Sequence, residues 1–600
     1  MTKTKIIIVL FLCTITLTAQ NFIEKQLPSP EKLSSFFIGP LVKSTIHYGK
    51  KPSNFNGEIL LFNHGYIDLN QLFFTNNTFY EDAYNAGYLV VFVATTRGEG
   101  MWVNGELLAE SIDIITQKYT IPRLTIIAHS NGGKAAEVAM FTHHKKDKVK
   151  RVISLGTPFW GTYLADISQK WWFNWIWRKT GLNEGSATST TYYCRDVVRP
   201  HFDNAANNQP EKFFILGGSG FKNGHTILAP LMFTSGATLF LAQGTNDGVT
   251  PYSSSLRPGG TYVFKKGEAK LDHVDIALGQ YVWKYVEPIL NTPLVKPTSK
   301  KTVSQPIIFS DYQIINSENV YDKIIPDTKY DELTIEVFHE KESDDFILSS
   351  HQKQLVRTHP KQQVKGLQLS KHSSSYILPT STTPISIEGN SKFAAFIRFP
   401  NGPKMKYIPR KENNLLTISF ANTNLPLKNI AVDALVTKTG DLYGNTTQND
   451  SYAYNFSYNE DTKEFYLDTS DFESGTYSIH ITGKHEKFVR SVISGFTIGK
   501  LSNDQINSTY TNNSKQLSIG LTSNLIDTTI ELKNTSSNDQ IHEVTVAVHN
   551  LNGELSIQKE IKNYNGSFIL SEKVASLAKG LYILTVRNKQ RKKSFKFIKK

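Results

Sequence analysis

A chain of 600 residues exceeds what one hydrophobic core fills, since single cores stop growing at roughly 250 to 300 residues, so three or four domains are expected. Hydrophobic residues at 39% and charged residues at 20% exclude a disordered or an integral membrane chain. The formal charge of +13 invites a polyanionic partner, yet much of the excess sits in the last fourteen residues, from Arg587 to Lys600, and no binding fold accompanies it, so no nucleic-acid site is read.

At the N-terminus, Lys3 and Lys5 precede an apolar run from Ile6 to Cys13, and Thr18-Ala19-Gln20 follows; residues 1–20 read as an export signal. The run is shorter than the roughly 20 residues a spanning helix needs. Leu12 is large where a lipoprotein signal has a small residue, which argues against lipidation of Cys13. Without the signal only Cys194 remains, so stability must come from packing and not from a disulfide.

From about Asn56 to Leu290, within a catalytic domain placed at residues 21–291, short β-rich runs alternate with helical ones, the pattern of an α/β fold with a mainly parallel sheet. Strands are predicted over 58–62, 88–94, 124–128, 149–155, 213–216 and 261–264, and helices over 105–119, 133–142 and 276–289. Residues 159–210 and 221–243 interrupt the alternation and are assigned to a cap; the apolar run 226–242, holding Pro230 and Gly236, reads as groove wall or buried helix. A Pro/Lys/Thr linker over 292–306 ends this domain. Period-two alternation then dominates two β-sandwich-like modules, 307–407 and 408–502, and a polar linker over 503–514 leads to a last β-rich domain over 515–600.

The sharpest chemical signal is Ala128-His129-Ser130-Asn131-Gly132-Gly133, an apolar strand running into Ser and then small residues that open a helix. A nucleophile elbow needs this order, because the tight turn leaves no room for large side chains two positions from the Ser. A base must then take the serine proton and an acid must orient the base, in the chain order Ser, acid, His. Asn246-Asp247-Gly248 supplies the acid and Leu271-Asp272-His273 the base; His225 and Asp196 are the next candidates for base and acid. Asp247 alone also fits a plain Asp-Gly turn, and His273 alone a surface histidine, but the ordered coincidence of all three favours catalysis. The oxyanion of the intermediate needs backbone N–H donors, expected from Asn131 and from Tyr66 in Asn63-His64-Gly65-Tyr66, with His64 shaping that loop. No metal-ligand spacing, phosphate loop or cofactor motif occurs; structural calcium stays open.

These motifs, with Leu155-Gly156-Thr157-Pro158-Phe159-Trp160-Gly161-Thr162, resemble those of bacterial lipases and esterases of the α/β-hydrolase superfamily over residues 56–290. The resemblance implies a Ser130–Asp247–His273 triad, an oxyanion hole at Tyr66 and Asn131, and an acyl-ester or lipid substrate. The segment 170–178 holds four of the seven tryptophans, as an interfacial lid over an acyl groove requires, and equally as a packed cap core does. Val544-Thr545-Val546-Ala547-Val548, Gly580-Leu581-Tyr582-Ile583-Leu584 and the basic end resemble the C-terminal sorting domain of the type IX secretion system. That implies passage through periplasm and outer membrane to the surface or medium, with the secretion machinery as partner; a third adhesive module is the competing reading. Overall the chain reads as a secreted ester hydrolase, and alternatively as an adhesin or glycan-binding protein on a degenerate hydrolase scaffold. Oligomeric state is not legible.

Overall fold

The computed structural model describes residues 22–35, 44–65, 76–95, 100–170, 184–226, 228–294, 309–318, 324, 332–340, 347–350, 353–355, 373–379, 384–389, 391–410, 414–446, 450–501, 519–523, 525–534, 543–550, 555–562, 567–571, 573–587 and 592–600. The export signal, Tyr66, the tryptophans at 171–177 and the linker 503–514 lie outside the described residues.

The apolar runs of the first half form one eight-stranded sheet of β1 (Phe22–Gln26), β2 (Ser44–Tyr48), β3 (Ile59–Asn63), β4 (Leu89–Ala94), β5 (Leu124–His129), β6 (Val149–Leu155), β7 (Phe213–Leu216) and β8 (Thr261–Tyr262), in the order β1-β2-β4-β3-β5-β6-β7-β8. From β4 to β8 all pairings are parallel, whereas β2 runs antiparallel to β4. Strands covered on both faces need apolar side chains at successive positions, and β3, β4 and β5 are buried at every residue. Alternate residues supply two cores: Leu61, Ile126 and Val152 face one, and Leu60, Ile127 and Ile153 the other. The covering helices are α1 (Phe79–Asn85), α2 (Gly100–Lys118), α3 (Gly132–Glu137), α4 (Tyr163–Ser168), α5 (Ala229–Gln243) and α6 (Gly279–Asn291). Strands β1 and β2, which pair with each other in parallel, carry no predicted counterpart, because each is only five residues of mixed character. The run expected over 261–264 pairs only at Thr261–Tyr262.

Beyond this first sheet the strands are almost wholly antiparallel, among the described residues in four sheets before residue 500 and two after it. The strand Lys404–Arg410 pairs with Leu415–Ala421 on one side and with Phe309–Ser310 on the other, so the division placed at 408 falls inside a strand that joins both modules. The modules also share a core with the first domain: Tyr163, Ile167 and Leu239 pack with Tyr312, Phe396 and Ile493. Tyr193 Oη donates to the Leu442 carbonyl at 2.9 Å, and Arg195 Nη2 to that of Gly495 at 3.1 Å. Gly495 lets the Tyr192 ring approach, since a Cβ there would sit 2.5 Å from Cδ1 of Tyr192 and closer still to the Tyr477 carbonyl. Gly495→Val is therefore expected to destabilise the chain by about 2 kcal/mol or more through overpacking, read as a lower melting temperature with the first domain and the modules still unfolding together. By contrast the last domain has its own core, from Ile519 to Phe597, which among the described residues includes none of the first domain.

Candidate active site

Strands β3 and β5 are neighbours, and the chain leaves them in opposite directions, β3 towards β4 and β5 towards β6, so their carboxyl ends flank a topological switch point where α/β sheets bind ligands. The loops that emerge there carry His64-Gly65 and Ser130-Asn131. Ser130 has φ +55°, the left-handed conformation expected of a nucleophile at the strand-to-helix turn, and its N–H is held by the Leu155 carbonyl at 2.9 Å. Two glycines make the elbow fit: a Cβ on Gly132 would stand 2.9 Å from the Asn63 carbonyl oxygen, and one on Gly65 2.9 Å from both Ser130 Oγ and Asn131 N. The Gly65 backbone thus lies against the hydroxyl and the N–H next to it, leaving space that any side chain would fill.

Asp247 and His273 arrive from loops beyond β7 and β8 and meet beside β6. His273 Nδ1 lies 2.9 Å from Asp247 Oδ2, and both side chains are buried. The other carboxylate oxygen, Oδ1, accepts the N–H groups of Val249 at 2.9 Å and Thr250 at 2.6 Å, so the loop's own backbone aims Oδ2 at the imidazole. The His273 N–H in turn donates to the Asp247 carbonyl at 2.7 Å.

Three contributors escape sequence reasoning. Gly156 has φ +60°, and a Cβ there would sit 2.9 Å from Asp247 Oδ2 and 3.2 Å from His273 Nδ1; its place in the Leu-Gly-Thr-Pro run was the available signal. Thr250 Oγ1 ties the acid's loop to the Gly156 carbonyl at 2.8 Å. His129 Nε2 donates to the His273 carbonyl at 2.7 Å, with the two ring centroids 4.7 Å apart. Complete burial, reinforced by His273 alongside, holds its pKa well below the usual histidine range, so the ring is neutral with its proton on Nε2. His129→Phe keeps the ring volume and removes the donor; kcat is expected to fall by up to about 100-fold with KM little changed, and His129→Gln, which still donates, to recover part of it. Equal kcat in wild type and His129→Phe would remove His129 from the support of this loop.

His64 sits with Nδ1 2.7 Å from the Gly65 carbonyl and Nε2 accepting the Thr95 N–H at 3.2 Å, which fastens its loop to the end of β4. The alternate candidates are held by other partners: His225 Nδ1 is 2.8 Å from Asp275 Oδ2, and Asp196 pairs with Arg195 at 2.7 Å and accepts the Thr497 N–H at 3.2 Å. A cleft lined by His64, Gly65, Gly100, Met101, Asn104 and Asn131 opens next to the elbow. Among the described residues no cluster of three or more His, Cys, Asp or Glu is placed to hold a metal, and no helix is long and apolar enough to cross a membrane.

Residues 73–180 match the family model of the PGAP1-like alpha/beta domain, and residues 526–600 that of the secretion system C-terminal sorting domain. No curated protein matches the chain. Among solved structures, the propeptide form of the Bacillus licheniformis lipase BlEst2 is 18% identical, covering 76% of this chain and 97% of its own, with a TM-score of 0.54. Its mature form is 25% identical over 41% of this chain and 98% of its own, with a TM-score of 0.37. A metagenomic carboxyl esterase, MGS0156, is 18% identical over 39% of this chain and 76% of its own, with a TM-score of 0.29.

Proposed function

We infer that the chain, with its α/β-hydrolase fold and its C-terminal match to the secretion system sorting domain, is delivered to the cell surface or beyond. We propose that it is an exported serine hydrolase of carboxylic esters, of the lipase and esterase kind. The observation that carries this reading is the hydrogen-bonded Asp247–His273 pair at the strand ends that also present Ser130 on a left-handed elbow. In this reading Ser130 Oγ attacks the acyl carbon while His273 Nε2 takes its proton. Asp247 Oδ2 holds Nδ1–H and stabilises the imidazolium that forms. The oxyanion is received by the Asn131 N–H and by a donor of the loop after β3, assigned to Tyr66. Protonation of the leaving alcohol by His273 leaves an acyl-Ser130 ester, which water, activated by the same imidazole, hydrolyses.

The test is a series of nitrophenyl esters of increasing acyl length, assayed with the exported protein. Turnover of at least one length is expected, and its optimum reports the acyl class; absence of turnover across the series would overturn the reading in favour of a binding scaffold.

A further inference from the structure

Helix α5 has fifteen residues without a single charge, Ala-Pro-Leu-Met-Phe-Thr-Ser-Gly-Ala-Thr-Leu-Phe-Leu-Ala-Gln. One side of it is committed to the protein: Leu239 lies in the core shared with Tyr163 and Tyr312, and Gly236 packs against the Phe221 ring. Another side is not. Phe233 is 41% exposed and Phe240 46%, and these positions are seven apart, two helical turns, so both rings stand on one face. Phe221 sits beside them, its ring centroid 6.0 Å from that of Phe233 and 6.1 Å from that of Phe240. The outcome is a ridge of two half-exposed rings backed by the buried Phe221, where a monomeric protein usually keeps single apolar residues apart.

Lysines lie on one flank of this ridge. Lys222 Nζ lies 5.5 Å from the Phe221 centroid and 6.0 Å from that of Phe240. The loop 265–270 runs alongside, joined by the Ser219 N–H to the Ala269 carbonyl at 2.8 Å and the Gly267 N–H to Ser219 Oγ at 3.1 Å, and it exposes Lys265, Lys266 and Lys270. Its one acid, Glu268, already accepts the Lys265 N–H at 2.8 Å. Aromatic side chains favour the boundary between hydrocarbon and water, and clustered lysines favour a negative surface.

We propose that the α5 ridge and its lysine rim are a docking face for a lipid surface bearing anionic headgroups. The face is coupled to the site by short contacts: Asn246 Nδ2 donates to the Gly236 carbonyl at 2.9 Å, and a Cβ on Gly248 would stand 2.8 Å from Met232 Cβ. Both contacts lie on the helix's inner side, so docking through Phe233 and Phe240 fixes the Asp247 loop relative to the lipid surface, behind the helix. Because the helix is pinned through Leu239 and Gly236, the ridge stands ready without a rearrangement. This inference concerns binding and stands independently of the hydrolytic reading.

The experiment is co-sedimentation of the full exported chain, in a Ser130→Ala background so that no lipid is consumed, with vesicles of phosphatidylcholine alone or mixed with phosphatidylglycerol. The parent protein is expected to bind the mixed vesicles, more weakly at high salt. Phe233→Ser with Phe240→Ser should lower the partition coefficient at least about tenfold, and charge reversal of Lys222, Lys265, Lys266 and Lys270 should abolish the preference for phosphatidylglycerol. Circular dichroism of both variants, and turnover of a soluble short ester by the same variants with Ser130 intact, check that the fold persists. Unchanged partitioning of the double Phe variant, or no binding by the parent, overturns the proposal. So does a lipid-free dimer that the Phe substitutions dissociate, since the ridge would then be a subunit interface.

Discussion

Ser130→Ala is expected to reduce ester turnover by about 10³- to 10⁶-fold while leaving the melting temperature within a degree or two of the parent. The hydroxyl is the only atom lost, and the turn that presents it is held by backbone: the Ser130 N–H to the Leu155 carbonyl, and Gly132 against Asn63. His273→Ala should cost nearly as much, because nucleophile and base act as one unit, and Asp247→Asn somewhat less. Asp247→Asn carries a structural effect too. An amide placed at Asp247 retains an oxygen for the Val249 and Thr250 N–H groups only if its nitrogen faces His273, where it offers the Nδ1 hydrogen no acceptor. Full activity in Ser130→Ala would refute the nucleophile assignment; loss in His225→Ala with retention in His273→Ala would move the base to the His225–Asp275 pair.

Glu137→Gln should produce the largest loss of stability, about 3 to 5 kcal/mol. Glu137 lies on α3, seven residues past Ser130, fully buried between two guanidiniums: Arg257 Nε is 2.7 Å from Oε1, and Arg199 Nη2 bonds Oε2. Burial by itself would raise the Glu137 carboxyl, and the two arginines outweigh it, so its pKa lies below the ordinary value of 4.5. Removing the charge leaves both buried cations without their shared counterion. A depressed carboxylate contributes stability that is present above its unfolded pKa and is lost as pH falls through its lower folded value. Acid unfolding of the parent should therefore steepen below about pH 4.5, and the Glu137→Gln protein should lose that component. The check is chemical denaturation across pH 3 to 7, roughly the range over which a carboxylate titrates. A midpoint unchanged from the parent at pH 7 would mean that the arginines find other partners.

The fold class was legible in the sequence wherever a local pattern repeats the global one. Strands β3 to β7 are short apolar runs because both their faces are covered, and the runs alternate with helical spacing because parallel strands need crossovers. The elbow was legible for a similar reason: Ala128, Ser130 and Gly132 lie within five residues, so one tight turn dictates all of them. Asp247 and His273 were legible only as an order along the chain. That they lie 2.9 Å apart is decided by the sheet, which brings the loops after β7 and β8 to one edge. What the tertiary structure alone decided are contacts whose partners are far apart in sequence and whose residue types carry no local signature. Gly495 could stand in any strand until the Tyr192 ring, some three hundred residues earlier, and the Tyr477 carbonyl of the neighbouring strand close on it. His129 is an ordinary strand-end histidine until the His273 carbonyl arrives above it. The run 226–242 reads as groove wall or buried helix because its apolar composition reports no neighbours; the structure buries Leu239 and leaves Phe233 and Phe240 half-exposed, since the core shared with the modules covers one face of the helix and nothing among the described residues covers the other.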